Sequence, residues 1–128
     1  MKTEEILKLV ALLANKDKEE TGHVFFKDAI GKWVIIRTYN EGLNFGKLKA
    51  ANEFGCIIED ARRLHRPISK DHNEAWYEGV ANSGLDEANG RISSAVREKY
   101  IIERYSITTC TPEAIKNIQN AVACKTDL

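Results

Sequence analysis

The sequence predicts an α+β fold: an antiparallel β-meander or small barrel-like sheet with an N-terminal helix, a middle helix and a C-terminal helix. Three observations predict it. Runs rich in β-branched and aromatic residues, of which residues 33–39 (WVIIRTY) are the clearest, recur through the middle of the chain between turn residues. The first residues combine a helix start with a dense apolar run, and a Thr-Pro-Glu opening near the end precedes isoleucines at helical spacing. With 128 residues the chain has the length of one domain. It divides into a helix and linker over 1–22, a sheet core over 23–110 and a closing helix over 111–124.

Taken in order, Thr3 supplies an N-cap, and Glu4 and Glu5 place acid where the helix dipole favours it. Ile6, Leu7, Leu9, Val10, Leu12 and Leu13 cover more than the single stripe of a surface helix. This helix either meets a second subunit or sinks into its own core. A short apolar segment at 24–26 opens the β region, and the strand at 33–39 runs into the turn Asn40, Glu41, Gly42. In the next strand, 43–49, Leu43, Phe45 and Lys47 share one face, and Asn44, Gly46 and Leu48 the other. Residues 52–55 mark another turn, and the meander continues through 56–59 into 61–65.

Residues 71–82 read as a helix capped by Asp71, with Trp76 and Val80 one turn apart and Gly84 just past the end. Asn89 and Gly90 turn the chain, 91–96 reads as a short strand, and 99–108 (KYIIERYSIT) reads as one closing strand. Thr111, Pro112 and Glu113 start the last helix, whose packing stripe is Ile115, Ile118 and Val122.

Composition removes several classes of function. The 19 basic and 19 acidic side chains cancel, so no long-range field gathers DNA or an anionic membrane, and any anion site is local. Cys56, Cys110 and Cys124 form no CxxC pair and read as thiols of a reducing, cytoplasmic compartment. The N-terminal apolar run is short and broken by Lys8, which argues against a membrane span or a signal segment. His23, His65 and His72 fall in separate elements without ligand spacing, so neither metal nor cofactor is expected. The segment 42–47 (GLNFGK) has three residues between its glycines and Leu48 after its lysine, which does not make a phosphate-binding P-loop. No nucleophile elbow occurs. The expectation is a protein that is not an enzyme.

Two segments remain as binding candidates. Arg62, Arg63, His65 and Arg66 crowd into five residues, and on a strand Arg62, Leu64 and Arg66 face one way while Arg63 and His65 face the other. The arginine fork suits phosphate, although a charged edge that blocks strand pairing has the same composition. The second segment is Arg37, Thr38, Tyr39, Asn40, Glu41 and Gly42, which offers hydroxyls, an amide and an aromatic face for a nucleotide, or makes an ordinary hairpin.

RTYNEG followed by ARR resembles the RTYxxG and ARR motifs of a phage-borne family of small domains that includes the Thoeris anti-defence sponges. The resemblance runs from about Gly31 to Thr111 and takes in the VIIRTY strand, Gly46, Asp60 to Arg63, the Arg91-Ile92-Ser93 turn and the final strand. It implies a phage protein of the infected host's cytoplasm that sequesters cyclic ADP-ribose isomers made by bacterial TIR-domain immune proteins, without cleaving them. It also implies cyclic oligonucleotides as ligands of some relatives, and assembly into homodimers or larger rings. This chain departs from the pattern at His65, where relatives carry tryptophan shortly after the double arginine.

On this reading Arg62, Arg63 and Arg91 hold phosphates, and Tyr39, His65 or Trp76 stacks on the base. Thr38, Asn40, Asn89 and Ser93 bind ribose hydroxyls, with Arg37 and Gly42 in the same turn. Nanomolar capture requires about 12 kcal/mol, whereas a charge-assisted hydrogen bond contributes about 1.5–3 and a stacked base about 1–3. The site is therefore composite. The rival readings are a small-barrel phage regulator that binds nucleic acid or protein, and an enzyme degrading the signal, for which only His65 with Glu59 or Glu103 is on offer.

Overall fold

The computed structural model describes residues 26–125, so the expected N-terminal helix and His23 lie outside the described residues. Val34, Ile35 and Ile36 are fully buried in succession. Three consecutive buried residues mean that β1 (Trp33–Thr38) is covered on both faces, as its run of β-branched residues suits. The chain continues through β2 (Leu43–Asn52), β3 (Gly55–Arg66), α1 (Trp76–Ser83), β4 (Arg91–Ile92), β5 (Val96–Ile101), β6 (Tyr105–Thr109) and α2 (Pro112–Asn120). The fold is α+β, as the sequence predicts.

Every ladder is antiparallel, in the order β4-β3-β2-β1-β6, with β5 paired to the first half of β3. In a flat sheet β5 and β6 would stand four strand spacings apart, about 19 Å. The link from Ile101 to Tyr105 reaches about 14 Å at most. The sheet therefore curls until its edges draw together at that end, yet stays open, since no ladder joins β5 to β6 among the described residues.

Curling divides the core in two. One face packs Ile35, Phe45, Leu64 and Ile92 against Val80 and Ala81 of α1 and Ala114 and Ile118 of α2. The opposite face gathers Val34, Ile36, Leu48, Cys56, Ile58, Ala61 and Ile101. Leu43 and Phe45 contact the first cluster and Leu48 belongs to the second, which bears out the alternation read in β2.

A bulge in β3 decides which arginine goes where. Phe45 pairs with Arg62 and Lys47 with Glu59, so β3 holds one residue more than β2 across this interval, and Asp60 takes a φ of 51°. Cys56 and Ile58 face one cluster before the bulge, whereas Leu64 faces the other after it. Arg62 is thereby carried inward beneath α2, and Arg63 to the opposite face.

Several expected boundaries move. The middle helix begins at Trp76 rather than after Asp71, and no side chain caps it. Asp71 instead organises the preceding turn, accepting from Asn73 N–H at 2.9 Å. Trp76 has a φ of 66° and is 74% exposed, so Val80, Gly79 and Ala81 form the buried face without it. Of the strand expected at 91–96 only Arg91 and Ile92 pair as β4. The closing strand expected at 99–108 is two strands, because the chain crosses at 102–104 from one sheet edge to the other. Val122 is 82% exposed, since α2 ends at Asn120 and Ala121 is buried in its place. The expected caps hold at Gly84, with a φ of 103°, and at Thr111, whose hydroxyl accepts from Ala114 N–H at 3.1 Å.

Candidate functional site

The β1–β2 turn is built by Thr38 and Gly42. Thr38 donates its N–H to the Gly42 carbonyl at 2.8 Å and its hydroxyl to the same oxygen at 3.1 Å. Gly42 has a φ of 70°, a conformation that glycine adopts without steric cost. The N–H groups of Asn40 and Glu41 point outward and donate to Oε1 and Oε2 of Glu103 at 3.1 and 3.2 Å, and Asn40 Nδ2 lies 3.4 Å from Oε1. A carboxylate thus fills the turn's outward donors.

On the other side of the turn, Glu41 leads into a polar network around Asn44. Its carbonyl accepts from Asn44 Nδ2 at 3.2 Å, and Asn44 Oδ1 accepts from Lys99 Nζ at 2.9 Å. Lys99 also lies 3.1 Å from Glu41 Oε1. Asn44 is fully buried and stands opposite Arg63 in the β2–β3 ladder. Across that ladder the Arg63 guanidinium reaches the turn, with Nη2 3.2 Å from the point where a Cβ on Gly42 would stand. RTYNEG and ARR meet here.

Arg62 does not join them. It is 7% exposed, donating from Nε to the Ser93 carbonyl at 2.8 Å and from Nη1 to the Ile118 carbonyl at 2.8 Å. Burial lowers its pKa. Its expected phosphate role is corrected to that of a buried tie between β3 and the last turn of α2. Ser93, expected at a ribose, holds the two arginines in place: its hydroxyl accepts from Arg63 N–H at 2.8 Å and its own N–H donates to the Arg63 carbonyl at 2.9 Å.

A groove of about 470 Å³ runs along the outer side of the turn, lined by Arg37, Thr38, Tyr39, Arg104, Tyr105 and Ser106. Ladder pairing sets Arg37 beside Ser106 on the face that carries Tyr77, and Thr38 beside Tyr105 on the opposite face, so the groove wraps the end of the β1–β6 pair. Arg37 lies 5.8 Å from the ring centre of Tyr77, in cation–π range. The Tyr39 ring is 95% exposed. The Tyr105 hydroxyl donates to Asn52 O at 2.7 Å, and burial pushes its pKa up to about 12, so the phenol keeps its proton.

The family model described as Domain of unknown function (DUF6948) matches residues 31–118. The chain belongs to this family. Comparison with curated proteins and with solved structures gave no match. The DUF6948 span contains the turn, both arginines of ARR, the groove and the Glu103 contact.

Within this DUF6948 domain the remaining expected residues lie outside that constellation. His65 is exposed near the end of β3, and Arg91 is exposed opposite Arg66. Trp76 opens α1 beside Tyr77, the residue under Arg37. Asn89 is tied to Asp86, donating from its backbone at 3.1 Å and from Nδ2 at 3.1 Å. Among the described residues no group of three His, Cys, Asp or Glu side chains is placed to hold a metal ion, and no helix is long and apolar enough to cross a membrane.

Sequence reasoning missed Asn44, Tyr77, Lys99, Arg104 and Tyr105 as neighbours of the turn. One signal was available: Glu103 and Arg104 interrupt the apolar alternation of 99–108, which marks a break in the strand.

Proposed function

We propose that this domain captures a phosphate-bearing nucleotide signal of the cyclic ADP-ribose type and holds it without cleaving it, as a phage anti-defence sponge in the host cytoplasm. The observation that carries this reading is the groove beside the turn, where Arg37, Arg104, Tyr39, Tyr105, Thr38 and Ser106 line one concavity. Two guanidinium forks suit a pyrophosphate, an exposed tyrosine ring suits a base, and hydroxyls suit ribose. Arg63 adds a cation on the far side of the turn. The zero net charge fits a local anion site better than a long nucleic-acid track.

Capture without cleavage is supported by the surroundings of the acid–base candidates. Glu103 accepts backbone N–H groups, and His65 is exposed on another element. Cyclic oligonucleotides form a second ligand class on this reading, and a homodimer or larger assembly completes the affinity that one groove lacks.

Titration calorimetry of the full chain against a panel of cyclic ADP-ribose isomers and cyclic dinucleotides tests the proposal. The expected result is saturable binding, with the ligand recovered chemically intact after the protein is denatured. Failure to bind any member overturns it, and time-dependent loss of ligand overturns the non-catalytic part.

A further inference from the structure

We propose that the Asn40–Glu41 turn is an anion receptor which Glu103 fills in the free protein and which a phosphate group of the ligand takes over. The inference deepens the proposed function and rests on it for the identity of that ligand. It starts from the geometry of the carboxylate. Each Glu103 oxygen accepts one backbone N–H of the turn, from Asn40 at 3.1 Å and Glu41 at 3.2 Å, and the Asn40 amide lies 3.4 Å from Oε1. Successive backbone N–H groups aimed at one anion form a concavity that accepts phosphate oxygens as readily as carboxylate ones.

The carboxylate comes from 102–104, the link that crosses the open end of the sheet. Ile102 in that link is 83% exposed, so no apolar burial holds the segment down at this residue. The next residue after Glu103, Arg104, lines the groove that also contains Arg37. Displacing Glu103 exposes two turn donors. A pyrophosphate reaching from the groove's guanidiniums to the turn gains those donors as well.

An internal anion of this kind lowers apparent affinity in proportion to the time it occupies the receptor. If the turn is vacant in about one molecule in ten, removing the carboxylate tightens binding about tenfold. Inorganic pyrophosphate, titrated into the full chain while the Asn40 and Glu41 amide resonances are followed by NMR, is the probe. The expected result is that both amides shift on titration, and that Glu103→Ala binds pyrophosphate about tenfold more tightly than the unmodified chain, with Glu103→Gln between them. Melting curves establish that each variant is folded. Should the alanine variant fail to fold, Glu103→Gln and the amide shifts of the unmodified chain decide.

Pyrophosphate that leaves both amides unmoved overturns the inference, as does a folded Glu103 variant that binds it no more tightly. Amide shifts with pyrophosphate but no binding of any cyclic nucleotide leave the receptor standing and remove the sponge. Nucleotide binding that leaves the turn amides unmoved does the reverse.

Discussion

The guanidinium of Arg63 lies against the space that a side chain on Gly42 would occupy, its Nη2 3.2 Å from the Cβ position. Gly42 also has a φ of 70°. Alanine here meets two costs at once, the left-handed backbone and a displaced guanidinium. Gly42→Ala is expected to lower stability by about 1–2 kcal/mol in urea denaturation. Gly42→Asn, which tolerates this backbone region better, loses less. Equal losses for the two would show that the space filled by Arg63, rather than the backbone, dominates.

The adjacent arginines have different tasks. Removing Arg62 leaves the half-buried Ser93 carbonyl and the buried Ile118 carbonyl without their charged donor. Arg62→Ala should cost about 2–4 kcal/mol of stability. Arg63→Ala should cost about 1 kcal/mol or less, while weakening capture of a phosphate-bearing ligand. Denaturant melts of both variants, paired with calorimetry, separate the two roles. A stable Arg62 variant would refute the buried tie.

Much of the sheet was legible because its signals are local. The β-branched run at 34–36, the alternation of Leu43, Phe45 and Leu48, the turn closing at Gly42 and the helix start at Thr111 each depend on a few neighbouring residues. The misread features are non-local. Arg62 finds its carbonyl at Ile118, 56 residues away, and nothing around Arg62 in sequence signals that contact. The bulge at Asp60 depends on one residue entering the left-handed region, which aspartate tolerates but does not require. The crossing at 102–104 from one sheet edge to the other follows from closure of the whole sheet; Glu103 and Arg104 mark a break in the strand locally, but not where the chain goes next.

The three thiols should separate by reactivity. Cys124 is exposed, whereas burial pushes Cys56 up to about 11 and Cys110 up to about 12. At pH 8 their thiolate fractions are about one in a thousand and about one in ten thousand. Brief iodoacetamide treatment of the folded protein should modify Cys124 alone, and denaturation should release the other two, as peptide mass spectrometry will report. Rapid native labelling of Cys110 would contradict its partial burial against the α1–α2 cluster.

Asp86 gives the 86–90 loop an acid limit. Its carboxylate is held well below the ordinary aspartate range, first by the Asn89 side chain, then by His72 Nε2 at 2.7 Å and by the N–H groups of Asn89 and Ala88. The unfolded chain takes up a proton near the ordinary value of about 4, whereas the folded chain resists until lower pH. The stabilisation is therefore complete at neutral pH and is lost as pH falls below about 4. Asp86→Asn keeps the shape but does not titrate. Its melting temperature should lie below that of the unmodified chain at pH 7, and the gap should narrow progressively as the pH is lowered from about 4. A gap that stays constant down to pH 2 would mean that the charge of Asp86 is not what stabilises this loop.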